Sequence, residues 1–243
     1  MKKILIGTHN SGKFREIAHL ISKKYKKISP LSLKIKSPKE TGRTFRANSE
    51  LKVVFFSKKV DCPVVSDDSG LCVKALNNKP GIYSARLAKK HGSFLNAMKF
   101  ILKKLEKKKD RSATFVCSLS YKTKHGKIIT AIGKIKGKIS KKIVGKKGFG
   151  FDPIFIPKNK KITYGQMPKS KKIKIDHRFV AFKKLKKKLK FYKFIVFCFI
   201  YIKILDNFPI FKTKDSYFSF YFIFKWKVTN RADSSVFFPS VVN

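Results

Sequence analysis

The chain opens with a strand, a turn and a helix in immediate succession, and that unit constrains the fold more than anything after it. Lys2-Lys3-Ile4-Leu5-Ile6 is a short apolar run of the kind that forms a buried strand. Gly7-Thr8-His9-Asn10-Ser11-Gly12-Lys13 follows it directly. The next residues place Phe14, Ile17, Ala18 and Ile21 at helical spacing. Asn10 or Ser11 can cap that helix, and Gly12 lets the backbone approach a ligand closely. Free N–H groups at the helix start, together with the Lys13 ammonium, make a site for anions, phosphates above all. The rest of the chain is coherent if that anion is a nucleoside triphosphate.

With 243 residues the chain can bury one sizeable core or two small ones. Its formal charge of +46 first suggests a nucleic-acid binder, since dense lysine neutralises a phosphate backbone. The lysines, however, are spread along the whole chain rather than gathered on one helix or tail. Lys, Phe, Ile and Asn all have codons rich in A and T, so genomic bias is a sufficient explanation, and no specific nucleic-acid partner is expected. That excess makes the acids informative. Residues 1–190 hold only Glu16, Glu40, Glu50, Asp61, Asp67, Asp68, Glu106, Asp110, Asp152 and Asp176, and two of these are adjacent. Cys62, Cys72, Cys117 and Cys198 show no C-x-x-C spacing, which predicts reduced, mostly buried thiols in a cytoplasmic protein. A strand reached within three residues leaves no room for a signal peptide.

Further elements follow from pattern. Ile28–Ile35 alternates loosely and reads as an edge strand, with Pro30 inside it. Thr44–Val60 reads as a helix with Thr44 as its cap and Phe45, Ala47, Leu51, Val54 and Phe55 as its apolar face. Val64-Val65 is a buried strand ending at Ser66-Asp67-Asp68-Ser69-Gly70, and Leu71-Cys72-Val73 is a second short one. Asn77–Ala88 is a loop turning at Pro80-Gly81, and Ser93–Lys107 is a helix. Two strands near 113–121 and 128–136 form a hairpin across Lys124-His125-Gly126. Ile154-Phe155-Ile156 is extended, and a last helix runs from His177 to about Lys190. The Phe-, Ile- and Lys-rich segment 191–243 differs in kind. Its longest uncharged apolar run, Phe194–Ile202, is far short of the roughly 20 residues that span a bilayer. It reads as a disordered or poorly packed extension, with a membrane-surface anchor as the rival.

Four groups of residues carry chemistry. Gly7–Lys13 fits the phosphate-binding pattern G-x-x-x-x-G-K, but Phe14 stands where that motif places a Ser or Thr for magnesium, which disfavours a P-loop-like NTPase. Asp67-Asp68-Ser69-Gly70 can bind a hard cation or take a proton from water, and neighbouring carboxylates push their pKa values apart; a capping turn is the plain alternative. Phe149-Gly150-Phe151-Asp152 offers rings for base stacking and an acceptor for ring N–H groups, or else a tight turn in the core. His177-Arg178 donates hydrogen bonds that suit the 6-oxo edge of a purine, or else starts a helix on the surface.

Order and spacing say more than any one group. Thr8–Lys13, Glu40-Thr41-Gly42, Ser66–Leu71, Pro80-Gly81-Ile82-Tyr83-Ser84-Ala85-Arg86, Gly148–Phe155 and His177-Arg178 together resemble the inosine triphosphatase or Ham1-like family of dITP/XTP pyrophosphatases over residues 1–190. The resemblance implies an α/β fold with a mixed central sheet, flanking helices and two lobes around a deep cleft. It implies a Mg²⁺-dependent homodimeric enzyme that converts ITP, dITP and XTP to the monophosphate and pyrophosphate. By motif, Thr8, His9, Asn10, Ser11, Gly12 and Lys13 would hold the triphosphate, and Glu40 and Asp68 the metal. Asp68 would accept the proton of the attacking water, with Ser69 touching substrate. Phe149, Gly150, Phe151, Asp152, Lys172, His177 and Arg178 would hold phosphate and base. The chain departs from the family at Ser170-Lys171, where acidic residues are usual, and at Asp176, where Ser is usual. A carboxylate at 176 is expected to pair with Arg178 and weaken base contacts.

Overall fold

The computed structural model describes the backbone of residues 1–205 and the side chains of residues 1–192. Residues 1–190 form a compact unit. Its first strand, β1 (Lys2–Ile6), leads into α1 (Ser11–Leu20) and β2 (Tyr25–Ile28), which returns parallel to β1. Next come α2 (Phe45–Ser57), β3 (Val64–Val73), β4 (Lys79–Pro80), α3 (Ser84–Lys90) and α4 (Phe94–Lys104). The hairpin of β5 (Ser112–Lys122) and β6 (Ile129–Ile139) follows, then β7 (Phe155–Pro157), the short α5 (Lys169–Lys172) and α6 (His177–Leu205). One mixed sheet takes the order β2-β1-β3-β5-β6-β7, with β4 paired to β3. The β1–β3 pair is parallel, whereas the β3–β5, β5–β6 and β6–β7 pairs are antiparallel.

Apolar side chains bury three bodies against this sheet. Ile4, Ile6, Ile17, Leu119 and Leu185 join β1, α1, β5 and α6, while Leu5, Val53, Phe56 and Val64 fix α2. Leu71, Met98, Ile101, Phe115, Phe155 and Tyr164 form the core of the other end.

Several elements differ from the sequence pattern. The segment from Ile28 to Ile35 is not a strand: β2 stops at Ile28 and Leu31–Leu33 is a 3₁₀ turn whose Leu31 and Leu33 are exposed. Val64–Val73 is one uninterrupted strand, so the two aspartates lie inside it rather than in a turn. Its Gly70 is there for packing: a side chain at 70 would run into the Gly81 carbonyl and the Ser84 hydroxyl. Ser84 Oγ in turn accepts the Leu71 N–H at 3.0 Å and donates to the Gly81 carbonyl, so the region read as a loop contains β4 and α3. Thr44 does cap α2, accepting the Ala47 N–H at 3.0 Å. That helix buries Asn48, Ser49, Lys52, Val53 and Phe56 rather than the expected apolar face. Polar groups face inwards because they meet other polar groups, Ser49 bonding Ser118 and Ser120 at 2.8 Å each.

The helix α6 runs past the expected end at Lys190. Among the described residues no helix is long and apolar enough to cross a membrane. The disordered and membrane-surface readings of the segment from Phe191 onwards fall, beyond α6, outside the described residues.

Candidate active site

Consecutive residues of a strand point to opposite faces, and Asp67 and Asp68 are consecutive on β3. Opposite them on β5 stand Leu119 and Ser118. Asp68 faces α2, where its Oδ2 accepts from Asn48 Nδ2 at 3.0 Å. Asp67 meets Lys13 of α1, 3.3 Å away, and Arg178 of α6, whose Nε is 3.7 Å distant. The two carboxyls do diverge in acidity, but the groups on either face cause it. Burial raises Asp67, and Lys13, Arg178, Lys52 and the Ser69 hydroxyl overcome that to hold it at about 2. Burial also raises Asp68, and there the opposing Lys52 and Lys13 do not prevail, with Glu40 adding a like charge. Asp68 is therefore the better proton acceptor.

From Asp67 a buried chain of alternating charge runs through the unit. Arg178 Nη1 donates to Glu16 Oε2 at 2.9 Å and Nη2 to Ser69 Oγ at 2.8 Å. Glu16 Oε1 then accepts from Lys172 Nζ at 2.6 Å, and Lys172 also reaches Asp152 Oδ2 at 2.6 Å. On the α2 side, Lys52 Nζ donates to Glu40 Oε1 at 2.6 Å, and the loop carrying Glu40 is fixed by Arg86, whose Nη2 donates to the Glu40 carbonyl at 2.7 Å. Burial lowers Lys52, but Asp67, Glu40 and Asp68 together raise it, so it stays charged beside both aspartates. Lys13, Glu40, Asp68, Lys172 and Arg178 are thereby brought together around β3.

The opening turn behaves as a helix start. Asn10 is the N-cap of α1, its Oδ1 accepting the Lys13 N–H at 3.0 Å. Thr8 Oγ1 accepts the Asn10 N–H at 3.2 Å, and His9 Nε2 bonds the Ile35 carbonyl at 2.9 Å. Helix geometry leaves the first N–H groups, at Ser11 and Gly12, without intrahelical acceptors. Phe14 packs with the core of β1 and α6 and provides no oxygen for a cation. The P-loop alternative fails there.

Three expected contacts are corrected. Gly12 is buried, and a Cβ added to it would lie 2.6 Å from the Phe149 ring, so its missing side chain makes room for that ring while its N–H stays at the helix start. Phe151 is a core residue, edge-on to Phe94 at 5.2 Å, which leaves Phe149 as the half-exposed ring. Lys172 and Arg178 lie over that ring at 4.8 and 5.2 Å. Asp176 forms no ion pair with Arg178: it is wholly buried, and its Oδ1 accepts the Phe179 N–H at 2.7 Å as the start of α6. Asp152, for its part, accepts from Lys172 and from the Phe149 N–H at 2.8 Å. Gly150 lies in the left-handed region (φ 65°) and turns the chain between the two phenylalanines.

His177 is stacked on Phe115 at 4.7 Å and 7°, and burial with Arg178, Lys172 and Lys13 nearby holds it well below the usual imidazole range, hence neutral. Its Nε2 lies 3.1 Å from Arg178 Nη1, a donor, which places the ring proton on Nδ1. That Nδ1 and Arg178 Nε are both buried without a hydrogen-bond partner among the described residues. Glu40 and Asp68 are two hard oxygen donors close enough to influence each other, with one oxygen of each engaged by Lys52 and Asn48. Among the described residues, no group of three or more His, Cys, Asp or Glu gathers as a metal cage. Two carboxylates with the remaining positions left to water and phosphate suit a hard divalent cation.

Sequence reasoning passed over Asn48 and Lys52, and it named Glu16 among the few acids and Arg86 within the Pro80–Arg86 motif without giving either a role. Glu16 carried a signal, being one of the few acids and set on the buried side of α1. Lys52 carried none among 59 basic residues.

Residues 4–188 match the model of the Ham1 family. The chain is similar to a dITP/XTP pyrophosphatase of Bacillus licheniformis, 38% identical over 189 residues, which span 76% of this chain and 96% of the relative. It is also similar to a dITP/XTP pyrophosphatase of Borreliella burgdorferi, 40% identical over 197 residues, 77% of this chain and 96% of the relative. Among solved structures, the Ham1 protein of Staphylococcus aureus superposes with a TM-score of 0.70 at 35% identity, over 78% of this chain and 98% of that one. A HAM1 protein from Coxiella burnetii gives the same TM-score at 31% identity, covering 78% and 99%.

Proposed function

The chain belongs to the Ham1 family, and from that membership we propose that it hydrolyses ITP, dITP and XTP to the monophosphate and pyrophosphate, clearing deaminated purines from the nucleotide pool. One observation carries the assignment of roles: Asp68 is buried on the α2 face with one oxygen bonded by Asn48 at 3.0 Å, and its carboxyl is raised by that burial and by Glu40 despite the charges of Lys52 and Lys13. Water attacks the α-phosphorus, Asp68 takes its proton, and the α–β phosphoanhydride opens with pyrophosphate leaving.

The remaining side chains divide the substrate between them. Lys13 and the first N–H groups of α1 hold the polyphosphate, with the Thr8 hydroxyl and exposed Ser11 beside them. Lys52 offsets charge that develops on the phosphates. Phe149 stacks on the base. The unpartnered Nδ1–H of His177 and Nε–H of Arg178 donate to a 6-oxo purine, an edge at which adenine presents an amine instead. Glu40 and Asp68 would hold Mg²⁺, which when bound offsets phosphate charge and helps orient the nucleotide. We also propose a cytoplasmic homodimer, a reading supported by the family resemblance alone. The lysine excess needs no nucleic-acid partner to explain it, and the four cationic groups at the site are already engaged by three carboxylates, Lys13 by Asp67, Lys52 by Glu40, and both Lys172 and Arg178 by Glu16.

The test is pyrophosphate release from each natural and deaminated nucleoside triphosphate with Mg²⁺. Release from ITP, dITP and XTP well above that from ATP supports the reading; no release from any of the three by the folded chain rejects it.

A further inference from the structure

Asp176 is a buried acid with no part in the reaction above. Its Oδ1 caps α6, and its Oδ2 is buried without a hydrogen-bond partner among the described residues. The charged and titratable groups around it come from every element packed there. Glu16 faces it from α1, Lys172 from α5, His177 and Arg178 from its own helix, Cys117 from β5, and Tyr164 from the loop after β7. Arg178 is already held by Glu16 and Ser69, and its Nε has only Asp67 Oδ2, 3.7 Å away. The guanidinium is thus held by two carboxyls, Glu16 and Asp67, and feels the charge of a third, Asp176.

We propose that Asp176 is a positioning residue for the base: it sets Arg178 through the first turn of α6, and its second oxygen, when ionised, competes with Glu16 and Asp67 for that guanidinium. This rests on the reading that Arg178 meets the 6-oxo edge. With a proton on Oδ2, Arg178 stays where Glu16 and Ser69 hold it, its Nε–H free for substrate. Loss of the proton adds a third negative charge at the helix start and draws the guanidinium away from the base. Burial and then the Glu16 charge keep the proton on Asp176 up to about pH 7, so the change falls where an enzyme works. The surrounding groups stay constant in that window: His177 is neutral, and burial keeps Cys117 and Tyr164 protonated.

The experiment measures pyrophosphate release from ITP by the full chain at saturating Mg²⁺ from pH 6 to 9. It compares the wild type with Asp176→Asn, which keeps an acceptor for the Phe179 N–H, and Asp176→Ser, which keeps a shorter one. Between pH 6 and 8.5 the wild-type KM rises relative to either variant by roughly threefold or more, as for loss of a hydrogen bond, while the kcat ratio stays flat. A KM ratio independent of pH overturns the proposal. Should Asp176→Asn fail to fold, Asp176→Ser carries the comparison alone. A wild-type chain inactive on ITP, dITP and XTP alike overturns the proposed reaction instead. In that case the pH dependence of ITP affinity, by calorimetry on the same variants, decides the role of Asp176 in the same way.

Discussion

Lys52 Nζ lies 2.6 Å from Glu40 Oε1, and its ammonium also influences Asp67 and Asp68. A helix-borne lysine therefore carries a positive charge among the carboxylates proposed to receive the substrate's phosphates and metal. Lys52→Met, which preserves the stem but not the charge, is expected to lower pyrophosphate release by roughly 10²-fold, as for loss of an electrostatic stabiliser. The same variant should lose about 2 kcal/mol in urea unfolding, less than the ~3–5 kcal/mol of a fully buried pair because the Glu40 side chain is 28% exposed. Wild-type turnover in Lys52→Met would remove the lysine from the mechanism.

Asp68→Asn retains shape and the contact with Asn48 but cannot take a proton. Its kcat should fall by roughly 10²–10⁴-fold, the range of general-base catalysis, and its melting temperature should hold or rise because a buried charge is gone. Steady-state kinetics beside a thermal melt separates this from mere unfolding.

Asp67 gives the opposite signature. Its folded pKa of about 2 lies below the ordinary 3.8, so the stability it contributes is present above about pH 4 and is lost as pH falls towards 2. The contribution is about 2 kcal/mol. Asp67→Asn should melt lower than wild type at pH 7, with Lys13 left unmatched and Arg178 keeping only Glu16 as its ion-pair partner, and should show a flatter decline between pH 4 and 2. Parallel acid-melting curves for the two chains would count against the ion pairs.

Gly12→Ala places a methyl 2.6 Å from the Phe149 ring and so moves the ring off the start of α1. KM for ITP is expected to rise roughly tenfold, within the ~1–3 kcal/mol that a base stacked on an aromatic ring is worth. In combination with Phe149→Ala the methyl has nothing left to displace. The double variant should then bind no worse than Phe149→Ala alone, and additive losses would refute the contact.

Much of this arrangement was legible in the chain because local chemistry and tertiary role coincide. The β1–α1 unit, the Thr44 cap and the β5–β6 hairpin follow from apolar spacing and turn residues that packing leaves unopposed. Asp67 and Asp68 stood out against a scarcity of acid, and so should Glu16 have done. Continuous β3 was hidden because Ser, Asp and Gly have turn preferences that pairing with β5 overrides. The inward face of α2 was hidden for a related reason. Its buried side chains are polar, matched to serines and carboxylates that are distant in sequence, and no periodicity of apolar residues reports them. Phe151 and Asp176 show the converse: a motif names which residues gather, but their division between core, cap and cleft depends on the packing around them.

The ten-residue register between β3 and β5 has a consequence for how the molecule can fail. Sliding one strand past the other by a single residue would exchange the surroundings of the two adjacent acids, putting Asp68 among the arginine contacts and Asp67 beneath α2. Such a chain would keep its secondary structure and much of its compactness yet have no chemistry. Catalytic competence here is fixed at the moment the central strands align, before any nucleotide arrives.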